Sequence, residues 1–77
     1  MNNTRRKTIN QIMEELERLK GDIDCLRDEE QDCYDNLPES LQYSETGERM
    51  EEAIDNLESA FGSLEEAIDY LSEAIEC

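Results

Sequence analysis

The sequence predicts an all-α protein built as an antiparallel two-helix hairpin, that is, a short helical coiled coil. Apolar residues recur at alternating steps of three and four positions in both halves of the chain, which is the pattern of a coiled-coil seam. Glycines are sparse, and the only proline, Pro38, stands almost at the midpoint. Two helices of similar length joined by a short loop are expected to pack antiparallel.

The first helix is predicted over about residues 8–36. Its apolar residues follow the three-and-four pattern at Ile9, Ile12, Leu16, Leu19, Ile23 and Leu26. The pattern demands an apolar residue at Glu30 as well, so this carboxylate is expected to reach solvent or a hydrogen-bond partner. Because a residue before proline is disfavoured in helical geometry, the helix should end near Asn36. Thr4 or Thr8 is the expected N-cap.

Residues 37–44 are predicted as the loop and residues 45–76 as the second helix, with Ser44 or Thr46 as its N-cap. The seam of this helix is Met50, Ile54, Leu57, Phe61, Leu64, Ile68, Leu71 and Ile75. In heptad notation (a to g), the isoleucines and Phe61 occupy a, and the leucines and Met50 occupy d. Alanine fills the g positions beside the seam, at Ala53, Ala60, Ala67 and Ala74.

Two helices alone would leave this wide apolar face partly exposed, and a long exposed apolar strip usually marks an interface. We therefore predict that residues 1–77 form a single domain, which dimerises into a four-helix bundle. The predicted self-association residues are the four alanines and Phe61. A monomeric hairpin and a higher assembly are the alternatives.

The available side chains argue against an enzyme. The chain has no histidine, three widely spaced cysteines and three isolated glycines. A Ser–His or Cys–His nucleophile, a four-ligand zinc site and a glycine-rich phosphate loop therefore cannot be assembled. We predict no catalytic residue, no metal site and no cofactor. Cys25, Cys33 and Cys77 are expected to be free thiols, with an intermolecular bridge through Cys77 as the alternative.

Charge is the second strong feature of the sequence. The net charge is −15, from 22 acidic and 7 basic residues. From Ser44 onward the chain contains eleven acids and only one base, Arg49. Such a chain should repel nucleic acid and anionic membranes. No signal peptide or membrane-spanning run is recognisable. We therefore expect a cytoplasmic protein that binds neither nucleic acid nor membrane directly.

Acids three and four positions apart on a helix stand roughly 5–6 Å apart, a spacing comparable with that of phosphates along a DNA strand. A rod with such a field attracts basic clefts. The predicted function is an acidic protein-interaction module, in its sharpest form a nucleic-acid mimic that inhibits a nucleic-acid-binding protein. The predicted partner-binding residues are Glu51, Glu52, Asp55, Glu58, Glu65, Glu66, Asp69 and Glu73. The alternatives are a structural coiled-coil module acting through its apolar seam, and an acidic surface that serves solubility alone.

Two segments carry a resemblance to known proteins, namely residues 36–42 (NLPESLQ) at the turn and residues 50–58 (MEEAIDNLE) after it. With these segments the chain resembles small acidic helical-hairpin proteins encoded by phages and mobile elements of gut Firmicutes, over roughly residues 5–76. Proteins of this kind are similar, as a class, to DNA-mimicking antagonists of host defence, including anti-CRISPR and anti-restriction proteins. The resemblance implies an inhibitory interaction with a protein partner, and it assigns no functional residue.

Overall fold

The computed structural model describes all residues, 1–77, and shows a rod made only of helices. The helices are α1 (Asn3–Asp35), α2 (Glu39–Gln42) and α3 (Glu45–Glu76). The rod measures 58 × 15 × 12 Å, and α1 and α3 lie side by side along it. The predicted all-helical class is confirmed, and the elongated shape is that of a helical hairpin or coiled coil.

α1 and α3 run in opposite directions. At one end of the rod, the Arg6 side chain donates from Nε to the backbone carbonyl of Ile75 at 3.1 Å. Near the loop, the Tyr34 hydroxyl donates to the Glu51 carboxylate. Residues early in α1 therefore meet residues late in α3, and the reverse holds at the other end.

α1 begins at Asn3, earlier than the predicted start at about residue 8. The reason is the preceding side chain, because Asn2 has an extended backbone and its Oδ1 accepts from the Arg5 backbone N–H at 2.8 Å. Asn2 is therefore the N-cap, and the prediction of Thr4 or Thr8 was wrong. A cap satisfies an amide that the first turn leaves without a partner.

Antiparallel packing also explains how basic residues are tolerated in the first turns of α1. Cations are unfavourable at a helix N-terminus and favourable at a C-terminus. The last turn of α3 contains no basic residue of its own. Arg6 supplies that charge from the neighbouring helix, because its guanidinium reaches the carbonyl of Ile75.

The connection between the long helices is more ordered than the loop predicted over residues 37–44. α1 ends at Asp35, close to the predicted end, and α2 forms one short helical turn inside the connection. The side-chain amide of Gln42 donates to the carbonyls of Tyr34 and Leu37, at 3.2 and 3.4 Å. The Tyr34 carbonyl also accepts from the Leu37 backbone N–H at 3.1 Å, so the Gln42 side chain adds a contact that ties the connection to the end of α1.

α3 begins where the sequence places it, with Ser44 as N-cap, because the Ser44 hydroxyl accepts from the Gly47 backbone N–H at 3.5 Å. Gly47 is buried against the end of α2. A Cβ atom at this position would lie 2.6 Å from the carbonyl carbon of Gln42 and 2.7 Å from the Leu41 oxygen. Only glycine lets the two backbones approach this closely.

The core is a thin seam between α1 and α3. Its most buried side chains are Ile54 and Ile68, which are 6% and 9% exposed. Both occupy a positions of the predicted seam. On α1 the a positions, Ile9 to Glu30, are all half-buried, whereas the d positions lie at the edge: Ile12, Leu19 and Leu26 are 43%, 41% and 52% exposed. The hairpin therefore covers only part of the apolar face of α1.

The three glycines offer a matched test of the turn. We expect Gly47→Ala to lower the free energy of unfolding by about 1–3 kcal/mol, the usual cost of an overpacked site, because the methyl group would push α2 away from α3. Gly21→Ala and Gly62→Ala add a methyl group with nothing within 4 Å and should each raise it by up to about 1 kcal/mol through helix propensity. Urea unfolding followed by circular dichroism measures the free energy of unfolding of all three variants. Equal effects would contradict the assignment of Gly47 to a close contact between the backbones of α2 and α3.

Candidate interaction surfaces

One side of the hairpin is closed by polar contacts that repeat every seven residues. We call this side the ion-pair flank, and its contacts join Lys20 to Glu65 at 3.7 Å, Arg27 to Glu58 at 3.4 Å, and Tyr34 to Glu51 through a hydrogen bond. All six residues occupy e positions of the heptad pattern. Each step of seven along α1 is matched by a step of seven in the reverse direction along α3, so the contacts fix the register of the pair.

Lys20 is the most protected cation of this flank, with a side chain that is 19% exposed. Its Nζ lies 3.3 Å from Glu17 and 5.2 Å from the centre of the Phe61 ring. A cation over an aromatic face is attracted by the ring quadrupole. Phe61 is thus engaged with its own chain, on the flank opposite to the other four residues predicted for self-association.

Arg27 binds three carboxylates at once. Its guanidinium lies 3.0 Å from Asp24, 3.1 Å from Asp28 and 3.4 Å from Glu58. The negative charge of Asp28, followed by the hydrogen bond to Asp24, raises the pKa of Arg27. These contacts hold the guanidinium over the boundary between α1 and α3.

Two shallow grooves lie along the ion-pair flank, with volumes of about 190 and 200 Å³. Pockets that bury a small molecule usually measure about 300–1,000 Å³ and are mainly apolar. Both grooves fall below that size and are lined largely by the charged residues just described. The first is lined by Asp24, Arg27, Leu57, Glu58 and Phe61, and the second by Glu17, Lys20, Glu65, Ile68 and Asp69.

Tyr34 completes the flank near the loop. The hydrogen bond to the Glu51 carboxylate is the main reason why the pKa of Tyr34 is raised to about 12. Its hydroxyl therefore stays protonated at neutral pH and continues to donate to Glu51. The heptad pattern places Tyr34 at an e position beside the apolar seam, but it does not show the carboxylate that faces the hydroxyl from the opposite helix.

The acids predicted to bind a partner fall into two groups in the structure. Three of them, Glu51, Glu58 and Glu65, contact α1 and close the ion-pair flank. The other five are exposed on the side of α3 that faces away from α1, and none of them forms an ion pair: Glu52, Asp55, Glu66, Asp69 and Glu73. Only this second group lacks a charged or hydrogen-bonding side-chain partner on α1.

These five belong to two adjacent rows at heptad positions b and f of α3, which we call the outer acidic rows. Glu45, Glu48 and Glu76 complete them, and Glu45 is paired with Arg49 at 2.6 Å. The rows are interrupted at the middle of the helix, where the expected positions hold Ser59 and Gly62. The charge is therefore arranged as two clusters of four acids rather than as a uniform stripe.

The side of the hairpin opposite the ion-pair flank is apolar, and we call it the open flank. In an antiparallel pair, the e positions of both helices share one side and the g positions share the other. The open flank consists of the α1 row Ile12, Leu19, Leu26 and Cys33 and the α3 row Ala53, Ala60, Ala67 and Ala74. All four α1 residues and Ala60 are exposed, and the other three alanines are half-buried.

No acid of α3 lies on or beside the open flank. All eleven acids of this helix occupy positions b, e and f, whereas positions a, c, d and g contain none. The c row bordering the alanines consists of Arg49, Asn56, Ser63 and Tyr70. On the α1 side the border is acidic, with Glu15, Asp22 and Glu29. The strong negative charge of α3 is therefore confined to the other half of its circumference.

The remaining chemical groups are dispersed. Cys25, Cys33 and Cys77 are exposed, free thiols. No group of three or more cysteine, aspartate or glutamate residues is placed to hold a metal ion. None of the helices combines the length and the apolar character needed to cross a membrane. Comparison with protein-family models, curated proteins and solved structures gave no match to this chain.

Proposed function

We propose that the protein is a non-enzymatic, cytoplasmic interaction module whose outer acidic rows bind a basic protein partner. The observation that carries this proposal is the set of seven exposed acids in the outer acidic rows of α3 that have no cation in the chain: Glu48, Glu52, Asp55, Glu66, Asp69, Glu73 and Glu76. Like charges at this spacing destabilise a helix by a few tenths of a kcal/mol per pair. A surface that keeps these acids in rows despite that cost suits a function that depends on their negative electrostatic field.

The form of the charge favours a partner that normally binds nucleic acid. Within each of the two clusters, acids at positions b and f follow one another three and four residues apart, so neighbouring carboxylates stand roughly 5–6 Å from each other. The rod holds them at fixed spacing, as a duplex holds its phosphates, and a basic cleft is attracted to such a rod over long range. Mimicry of nucleic acid, with inhibition of the bound protein, is the specific form of the proposal.

A set of charge-neutralising variants tests this surface. We expect the combined change Glu52→Gln, Asp55→Asn, Glu66→Gln and Asp69→Asn to abolish partner binding without loss of helicity. The assay is capture of proteins from a host lysate on the immobilised protein, followed by elution with double-stranded DNA, because a nucleic acid should displace a protein that uses its nucleic-acid site.

The control removes four charges from α1 instead, through Glu14→Gln, Glu15→Gln, Glu29→Gln and Asp32→Asn. These acids are exposed and form no ion pair, so this variant has the same net charge as the test variant and should still bind. Capture that survives the α3 changes, or that DNA fails to reverse, would refute mimicry.

A second candidate function is assembly through the open flank. Its specific support is the exposure of Ile12, Leu19 and Leu26, between 41% and 52% each, in one row with heptad spacing. An isolated hairpin of this size buries little apolar surface, and small domains of this kind commonly gain stability by self-association. We propose that two hairpins pair through this flank into a four-helix bundle.

Light scattering tests the dimer directly. The native chain should show twice the 9.0 kDa mass of one chain, and Leu26→Glu combined with Ala60→Glu should reduce it to one, because two carboxylates would have to be buried without partners. Ser59→Glu, on the outer face of α3, is the matched control and should leave the dimer intact. A native protein that runs as a monomer at micromolar concentration would contradict the assembly proposal.

A further inference from the structure

We infer that one end of the outer acidic rows is the docking point for the basic partner, and that an arginine of the partner stacks there on the ring of Tyr70. This inference rests on the proposed function and names the side chain that the acidic surface recognises. The rows consist of a proximal cluster near the loop (Glu45, Glu48, Glu52 and Asp55) and a distal cluster near the end of α3 (Glu66, Asp69, Glu73 and Glu76).

The charge of the proximal cluster is offset by two features of its own chain. Glu45 and Glu48 lie in the first turn of α3, where carboxylates are favoured because they face the positive end of the helix. Arg49 lies beside the cluster and pairs with Glu45 at 2.6 Å. The position of these acids therefore has a structural explanation that requires no other molecule.

The distal cluster has neither form of compensation. Glu73 and Glu76 lie near the negative end of α3, where carboxylates are unfavourable, and the last turn of the helix contains no base. Arg6 and the N-terminal ammonium group reach this end of the rod, but they donate to the backbone carbonyls of Ile75 and Cys77. Neither cation pairs with a carboxylate of the cluster. A cation from another molecule would relieve this charge.

Tyr70 places an exposed aromatic ring beside the distal cluster. Its c position adjoins the f row, and its neighbours four residues before and three residues after it are Glu66 and Glu73, which lie on the same face of the helix. The side chain is 70% exposed, and the adjoining g positions hold Ala67 and Ala74, whose methyl groups are too short to cover the ring. Exposed tyrosines of this kind are enriched among the residues that dominate binding energy.

Tyr70 occupies the position that Arg49 occupies in the proximal cluster. The two residues are three heptads apart, and each has an f-row glutamate four residues before it and another three residues after it. In the proximal cluster the guanidinium of Arg49 binds the first of these glutamates, Glu45. The chain itself thus shows that a guanidinium beside the c row reaches an f-row carboxylate. In the distal cluster the chain supplies a ring at this place and leaves the guanidinium to the partner.

An aromatic face between two carboxylates favours arginine over lysine. The planar guanidinium can donate hydrogen bonds to a carboxylate while it stacks on an aromatic ring, whereas the ammonium group of lysine is compact and strongly hydrated. Arginine meets the same combination in nucleic acids, where it binds phosphates and stacks on bases. The distal cluster with Tyr70 therefore suits an arginine from a nucleic-acid site.

Two synthetic peptides of equal length, one of arginines only and one of lysines only, test the role of the ring. Calorimetry with the full chain should show that the arginine peptide binds more tightly. Tyr70→Ala should weaken its binding about two- to fivefold, as expected for loss of a cation–π contact at an exposed site, whereas Tyr70→Phe keeps the ring and should bind like the native chain. The matched control is Tyr43→Ala near the loop, which removes a tyrosine that is 80% exposed and should leave binding unchanged.

Paired charge variants test the position of the docking point. Glu66→Gln with Glu73→Gln should weaken binding of the arginine peptide more than Glu45→Gln with Glu52→Gln, although each pair removes two charges from the f row. Circular dichroism and light scattering compare the helicity and mass of every variant with those of the native chain. A lower mass for Tyr70→Ala would assign the ring to self-association and overturn the inference.

The remaining outcomes separate the inference from the proposed function. If the native chain bound neither peptide, the proposed binding of a basic partner would be refuted, and the inference with it. Equal affinity for the two peptides, unchanged binding by Tyr70→Ala, or equal losses from the two pairs of charge variants would each overturn the inference and leave the acidic docking surface in place.

Discussion

The structure depends on one constraint, the seven-residue register in which α1 and α3 meet. Lys20, Arg27 and Tyr34 each reach a glutamate of α3, at 3.7 Å, 3.4 Å and through a hydrogen bond. Individual exposed pairs contribute little, typically below about 1 kcal/mol. Together they determine which side of the hairpin is closed. They hold the ion-pair flank together and leave the exposed leucines of α1 on the open flank.

That register divides the surface of the rod into regions with different physical properties. The ion-pair flank uses three of the acids of α3 internally, the outer acidic rows keep seven of their eight acids exposed and without cations, and the open flank contains the exposed apolar row of α1. Because Ile54 and Ile68 are the only large apolar side chains below a tenth exposed, the single hairpin has a minimal core. The proposed acidic docking surface and the proposed self-association surface are therefore compatible, since the outer acidic rows and the open flank lie on different sides of the same helix.

Much of this arrangement could be predicted from the sequence, because the heptad pattern repeats over most of the chain. The helical class and the extent of α3 follow from that pattern, and local capping rules narrow the N-cap of α3 to Ser44 or Thr46, of which the structure has Ser44. The Asn2 cap, the helical turn α2 and the close approach at Gly47 do not, since each depends on a backbone geometry that the pattern leaves undefined. The division of the α3 acids was missed although the same pattern contains it, because Glu58 and Glu65 occupy e positions beside the seam, whereas Glu66 occupies an f position on the outside.

A charge-reversal cycle at Lys20 and Glu65 tests the register most directly. Lys20→Glu and Glu65→Lys should each lower the free energy of unfolding, and the double variant should recover a measurable part of that loss, because opposite charges again face each other. Lys20→Glu combined with Glu58→Lys should show little recovery, since Glu58 lies one heptad, roughly 10 Å, further along α3. The register would be contradicted if the double variant with Glu58→Lys recovered the lost free energy of unfolding. It would also be contradicted if neither double variant recovered it.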